Sequence, residues 1–305
     1  MKPFLLAISL ALAAFSAMAQ DISASYYTGS TQKIQLKFPD SDASGSWRIL
    51  SAGRTLASGD VQTGSSGEAA VSFSLPEMKS PASIEAELVW GSGGKESSKE
   101  ISVHSANPFT GKIQTIGALG VGLWSVDSSK SPMAELLKKF EIPFSTADGI
   151  SSFDGKLLFV EGMDFDNNPG SFDALKAQCQ KGCDVILLPP IKGSLKFDRS
   201  ACSQILLAGD GRIERFGRRL DSKLWGGAPF NASRFKWDMM DGSPCLRFDG
   251  SLDGFSYCEM EIGGGTLSLC GWDLAAGAKV SPTPLRILEK MIDGAINKTK
   301  EHGAK

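Results

Sequence analysis

Between Ser105 and Phe109 the spacing of apolar residues changes from every second position to every third or fourth. A chain that switches period in this way builds a strand-rich unit first and a helix-containing unit second. Before the switch, Lys33 to Phe38, Ala70 to Leu75 and Ser83 to Trp90 alternate apolar with polar residues, so each strand buries one face. Pro39-Asp40, Ala52-Gly53, Ser58-Gly59, Gly64 to Gly67 and Gly91 to Gly94 punctuate these runs as turns. The expectation is an all-β sandwich of immunoglobulin-like size over 20–106, with Trp47 in its core and His104 at its surface or boundary.

After the switch the signals are helical. Ser131 is placed to cap a helix and Pro132 suits its first position, and Met133, Leu136, Leu137 and Phe140 form the buried stripe. Lys156 to Val160 reads as a short buried strand. A helix follows from about Ser171, with Phe172, Leu175 and Cys179 on one face and Gly182 as its stop, and then a second buried strand, Val185 to Leu188. Strand, helix and strand of this length make a βαβ unit with parallel strands. From Lys192 to Phe255 the pattern is an irregular excursion, with Asp210-Gly211 as a turn. Tyr257 to Trp272 then reads as a hairpin. Thr283 and Pro284 open a closing helix whose apolar face carries Leu285, Leu288, Met291, Ile292, Ala295 and Ile296. This second unit spans 110–298, and 299–305 is a tail.

The first 19 residues carry Lys2, an apolar run from Phe4 to Phe15, and Ala17-Met18-Ala19. This is the layout of a cleaved signal peptide with the cut between Ala19 and Gln20, so the expected location is secreted or periplasmic. The remainder contains no uncharged run long enough to span a bilayer, and no membrane insertion of the mature chain is expected. All six cysteines lie in the second half of the chain. In the Tyr257–Trp272 hairpin, a register pairing Ile262 with Leu267 and Met260 with Leu269 keeps the apolar residues in phase. It sends Cys258 and Cys270 to opposite faces, so they are not expected to be bonded to each other.

Net charge is −2, from 32 basic and 34 acidic residues, which gives no electrostatic case for a nucleic-acid partner. With two histidines, His104 and His302, imidazole chemistry has little to draw on. No Gly-x-Ser-x-Gly elbow occurs, and the cysteine spacing provides no zinc site. Asp164-Phe165-Asp166-Asn167-Asn168-Pro169-Gly170 alternates oxygen donors but puts Pro169 and Leu175 where a calcium loop needs glycine and glutamate. It reads either as an Asx-rich turn leading into the next helix or as part of a polar pocket at the carboxyl end of a parallel strand. On the second reading Glu161, Asp164 and Asp166 are the site residues. Trp225, in the aromatic stretch Leu224 to Phe230, joins them as a surface for stacking on sugars or as a core ring.

Lys156 to Gly162, Cys183-Asp184-Val185-Ile186-Leu187-Leu188-Pro189 and Glu259 to Leu274 resemble the flavodoxin-like domain of class I glutamine amidotransferases. In particular they resemble the form that follows an Ig-like sandwich as an accessory module in secreted bacterial proteins of the β-galactosidase type. The resemblance implies an α/β flavodoxin-like second domain and a carbohydrate or a glycoside hydrolase as partner. In that family the nucleophile is a cysteine in Gly-x-Cys-x-Gly; here Ser268-Leu269-Cys270-Gly271-Trp272 lacks both glycines. The expectation is therefore an exported protein without catalytic residues, metal or cofactor. The alternatives are a carboxylate-dependent hydrolase acting on a saccharide and a structural envelope protein.

Overall fold

The computed structural model describes residues 25–303 apart from 42, 81, 169, 280 and most of 192–256, where backbone is described at 197–202, 205–207, 230–236, 246–248 and 254–255. The expected signal peptide with Ala19 and Gln20, and the aromatic stretch with Trp225, lie outside these residues. The fold is mixed and sheet-rich. No helix among the described residues is long and apolar enough to cross a membrane.

Seven strands come first: β1 (Ser25–Tyr27), β2 (Thr31–Lys37), β3 (Ser44–Ser51), β4 (Arg54–Gln62), β5 (Glu68–Ser74), β6 (Ser83–Ser92) and β7 (Lys95–His104). They form a five-stranded sheet in the order β1-β7-β6-β3-β4 and a two-stranded sheet β2-β5. The alternation in sequence is the reason for two layers: Ile34, Leu36, Val71 and Phe73 from the small sheet meet Trp47, Ile49, Leu88, Ile101 and Val103 in one apolar cluster. Trp47 is a core residue, as expected, with its ring 5.7 Å from that of Phe73. His104 is not at the surface: it is 4% exposed, and its Nδ1 lies 2.8 Å from the Ser83 hydroxyl. Ser58-Gly59 is not a turn but lies inside β4, where a Cβ on Gly59 would meet the Trp47 indole at 3.0 Å, so glycine serves packing.

The chain continues through α1 (Ile113–Ala118), β8 (Val121–Ser125), α2 (Pro132–Lys139), β9 (Ser145–Thr146), β10 (Leu157–Glu161), α3 (Ser171–Gln180) and β11 (Asp184–Leu187). Short strands follow at β12 (Phe197–Cys202), β13 (Ile205–Leu207), β14 (Phe230–Lys236), β15 (Leu246–Phe248) and β16 (Gly254–Phe255). The last elements are β17 (Tyr257–Ile262), β18 (Gly265–Cys270), α4 (Leu274–Gly277) and α5 (Pro282–Gly303). The main sheet runs β13-β15-β17-β18-β11-β10-β8-β9. Five of its neighbouring strands, β9, β8, β10, β11 and β18, are parallel. Numbered along the chain, these five lie in the spatial order 2-1-3-4-5. Leu157, Phe159, Ile186 and Cys270 face α1, α2, α4 and α5 on one side. Leu158, Val160, Leu187, Leu269 and Cys258 face the α3 side. Near-continuous apolar strands are what a sheet covered on both faces requires.

Local signals decide most boundaries. The Ser131 hydroxyl accepts the Ala134 N–H at 2.9 Å, with Pro132 at the first helical position. Helix α3 closes in a Schellman motif: Gly182, at φ 88°, donates to the Cys179 carbonyl and Cys183 donates to that of Gln178. Helix α5 starts at Pro282 rather than at the expected Thr283-Pro284 and runs through 299–303, where a tail was expected. Thr283 is instead buried at 1% exposure, its hydroxyl 3.2 Å from that of Ser25. Beside it the Tyr27 hydroxyl donates to the Ala278 and Ser281 carbonyls at 3.3 and 3.1 Å, so β1 is tied to the start of α5. At the other end of this contact Lys112 bridges Glu289 and Asp293, each at 2.8 Å. Burial pulls the Lys112 pKa down, but the hydrogen bonds to Asp293 and Glu289 outweigh it and leave the ammonium above its usual value.

The β17–β18 hairpin has a different register from the expected one. Met260 pairs with Leu267 and Ile262 with Gly265, because a two-residue turn, Gly263-Gly264, closes it. Gly263 at φ 61° supplies the left-handed first position that such turns favour. The shift leaves Cys258 and Cys270 on opposite faces of the sheet, and neither they nor Cys179 and Cys183 are in a disulfide.

Candidate functional site

In an open sheet of parallel strands, ligands enter outside the carboxyl ends where strand order reverses. Here that point lies between β8 and β10, and Glu161 is the last residue of β10. Alternation along the strand turns its side chain towards α2. The carboxylate accepts the Ser131 hydroxyl through one oxygen and the Met133 N–H at 3.1 Å through the other. The α2 amino terminus, which would attract an anion through its unpaired N–H groups, is thus occupied by the protein's own carboxylate. Burial pushes the Glu161 carboxyl above the usual carboxylate range. The bonds from Ser131 and Met133 oppose this, and the nearby charge of Asp273, the cap of α4, adds to it.

Asp164 serves its own loop. Its Oδ1 accepts the N–H groups of Asp166 and Asn167 at 3.1 and 3.2 Å, and its Oδ2 accepts the Asn167 amide at 2.8 Å. Asn168 returns a bond to the Asp164 carbonyl at 2.8 Å, and its own carbonyl receives the Ser171 hydroxyl that opens α3. This is the Asx-rich turn, and Asp166 lies exposed on its outer side. Glu161 and Asp164 therefore leave the same strand end in different directions, one into α2 and the other into the turn. Trp225 belongs to the stretch that is not described. Among the described residues no group of three or more His, Cys, Asp or Glu side chains gathers as a metal site. Val126 and Ile191, 59% and 53% exposed, leave apolar side chains on either side of the β10 end.

Cys270, whose flanking residues lack the two glycines of the amidotransferase pattern, ends β18. It is wholly buried, its thiol points at the Trp272 carbonyl, and burial pushes its pKa up to about 12. Burial likewise pushes Cys179 and Cys183 to about 12. A thiol in this state is a poor nucleophile at neutral pH. Iodoacetamide at pH 8 should leave Cys179, Cys183, Cys258 and Cys270 unmodified in the native protein and label all four in urea, read by mass spectrometry. Rapid labelling of Cys270 in the folded chain would contradict its burial.

Two clefts among the described residues open at the opposite end of the parallel strands, which sequence reasoning did not consider. One, of about 650 Å³, lies between α1 and the second half of α5 and is bordered by Lys112, Lys290, Asp293 and Lys298. Another, of about 370 Å³, lies among Lys156, Gly182, Asp184, Gly264, Lys298 and Thr299. Lys298 stands in the wall of both. Its ammonium donates to Asp184 Oδ1 at 3.2 Å and to the Thr266 hydroxyl, and the same Asp184 oxygen accepts the Thr266 N–H at 2.8 Å. No local motif announces this group, because its members are brought together from β11, β18 and α5.

No protein-family model matches the chain, and no curated protein matches it. Among solved structures it is similar in part to an exo-β-1,4-mannosidase from Opitutaceae bacterium strain TAV5, with a TM-score of 0.33 and 10% identity over 57% of this chain and 34% of that one. It is also similar in part to a carbohydrate acetylesterase from Xanthomonas citri, with a TM-score of 0.21 and 8% identity over 54% and 57%. A sialyltransferase from Photobacterium damsela gives a TM-score of 0.18 and 10% identity over 55% and 35%. The chain thus spans 34% to 57% of the length of these proteins, and overlaps of this depth carry no argument about activity.

Proposed function

We propose that this chain is an exported accessory protein, an Ig-like sandwich over 20–106 followed by a flavodoxin-like domain over 110–298. In this reading it binds carbohydrate or assembles with a glycoside hydrolase and performs no chemistry of its own. The strand order 2-1-3-4-5 with helices on both faces supports the flavodoxin-like part. The observation that carries the functional part is the seat of Glu161. Its carboxylate holds the Ser131 hydroxyl and the Met133 N–H, which fills the position where this fold would receive an anionic ligand. The buried Cys270 thiol supports the same reading. Export rests on the signal segment, and the carbohydrate clause rests on the resemblance to accessory modules.

One observation favours a second reading. A carboxyl raised by burial, with the charge of Asp273 close by, is the pairing that glycoside hydrolysis uses for acid and base. Affinity electrophoresis in gels cast with soluble polysaccharides tests the first reading. The expected result is retarded migration in at least one polysaccharide, unchanged in a variant carrying both Asp164→Ala and Asp166→Ala if binding lies elsewhere on the surface and lost if these residues line it. Unretarded migration in every polysaccharide would remove the carbohydrate clause.

A further inference from the structure

The cleft of about 370 Å³ at the amino end of the sheet falls within the size range of small-molecule sites, roughly 300–1,000 Å³. Two glycines keep its mouth open: a Cβ on Gly264 would come within 3.3 Å of Gly182 Cα, so side chains there would close the gap. Below the mouth, Asp184 and Lys298 also line a chamber of about 10 Å³, room for no more than one water molecule.

The charges select the ligand class. Asp184 and Lys298 neutralise each other at 3.2 Å. Lys156, which is exposed, brings its ammonium over Gly182, 3.9 Å from where a Cβ would stand, and forms no ion pair among the described residues. The surplus charge at the mouth is positive, and the interior offers hydroxyl and carboxylate groups. We propose that this cleft binds a small hydroxylated carboxylate, with the carboxylate at Lys156 and hydroxyl groups towards Asp184 and Thr299. This site is separate from the Glu161 crevice at the other end of the strands, and either can fail without the other.

The test follows the Gly182 and Gly264 amide signals of the full chain in ¹H–¹⁵N spectra during titration with D-glucuronate, acetate and D-glucose. Glucuronate is expected to shift both signals saturably, and glucose is not. Lys156→Gln should weaken glucuronate roughly fivefold, about 1 kcal/mol, the value of one exposed charge contact. Its melting temperature should stay that of the parent, because Lys156 is exposed. Thr299→Ala should also weaken glucuronate, while leaving acetate unchanged. Acetate binding as tightly as glucuronate would overturn the assignment of the hydroxyl groups. Saturation by glucose as strong as by glucuronate, unchanged affinity in Lys156→Gln, or no saturable shift with either carboxylate would overturn the proposal.

Discussion

Gly265→Ala is expected to destabilise the second unit by about 3 kcal/mol or more. Gly265 opens β18, and a Cβ there would stand 2.1 Å from the Cys183 carbonyl oxygen and 2.8 Å from that of Cys179. Neither oxygen can retreat cheaply, since both belong to the turn that closes α3, and the Cys179 carbonyl already accepts the Gly182 N–H at 2.9 Å. The neighbouring Gly263 also packs tightly, with its Cβ position 2.8 Å from Gln180 Cα. The glycine run thus lets a hairpin turn sit directly on a helix end. Gly64→Ala is the control. Its φ is not left-handed and the nearest atom to a Cβ is 3.9 Å away, so a change within about 0.5 kcal/mol is expected. Urea unfolding followed by tryptophan fluorescence compares the two. Equal midpoints would mean that β18 does not lie on the α3 cap.

The second large effect concerns Glu161. Glu161→Leu removes the acceptor of the Met133 N–H and of the Ser131 hydroxyl at a part-buried helix end, and a loss of about 1–3 kcal/mol follows. Glu161→Gln keeps an acceptor for Met133 and removes the charge. The Glu161 carboxyl binds its proton more tightly in the folded chain than in the unfolded one. Its ionised form therefore costs stability above the folded-state pKa, and the cost disappears as pH falls through that value. Glu161→Gln should accordingly melt no lower than the parent at pH 7, with any advantage shrinking as the pH is lowered into the carboxylate range. Thermal melts of both proteins across that range measure this. An advantage that grows on acidification would show that the folded chain prefers the ionised form.

How far these features can be read in the sequence depends on whether their causes are local. Ser131, Pro132 and the stripe behind them mark α2 because capping and periodicity act within one or two turns, and the same holds for the α3 stop at Gly182. Strand β8 escapes notice because Gly122 interrupts a short apolar run. The structure requires that glycine, since a Cβ there would lie 2.3 Å from the Phe153 ring. The start of α5 was misplaced because Ser281-Pro282 and Thr283-Pro284 carry the same local signal, and contact with Ser25 and Tyr27 puts the helix start at the first pair. At the site, the position of Glu161 at a strand end was visible, but its engagement with α2 was not, because its partners lie about 30 residues earlier in the chain. Asp164 was visible both as a turn former and as a site residue, and its bonds to Asp166 and Asn167 build the turn. The Asp184–Lys298 group gave no sign, being separated by 114 residues.

The claim on which the functional account turns is that Glu161 is a resident counterpart of the α2 amino terminus and not an acid in a reaction. Reducing-sugar release from a panel of soluble polysaccharides, by the purified full chain and by Glu161→Gln at equal concentration, tests it most directly. The account predicts no release above the protein-free rate from either protein. Steady release by the parent that is abolished in Glu161→Gln, with the variant folded and melting no lower than the parent, would contradict it.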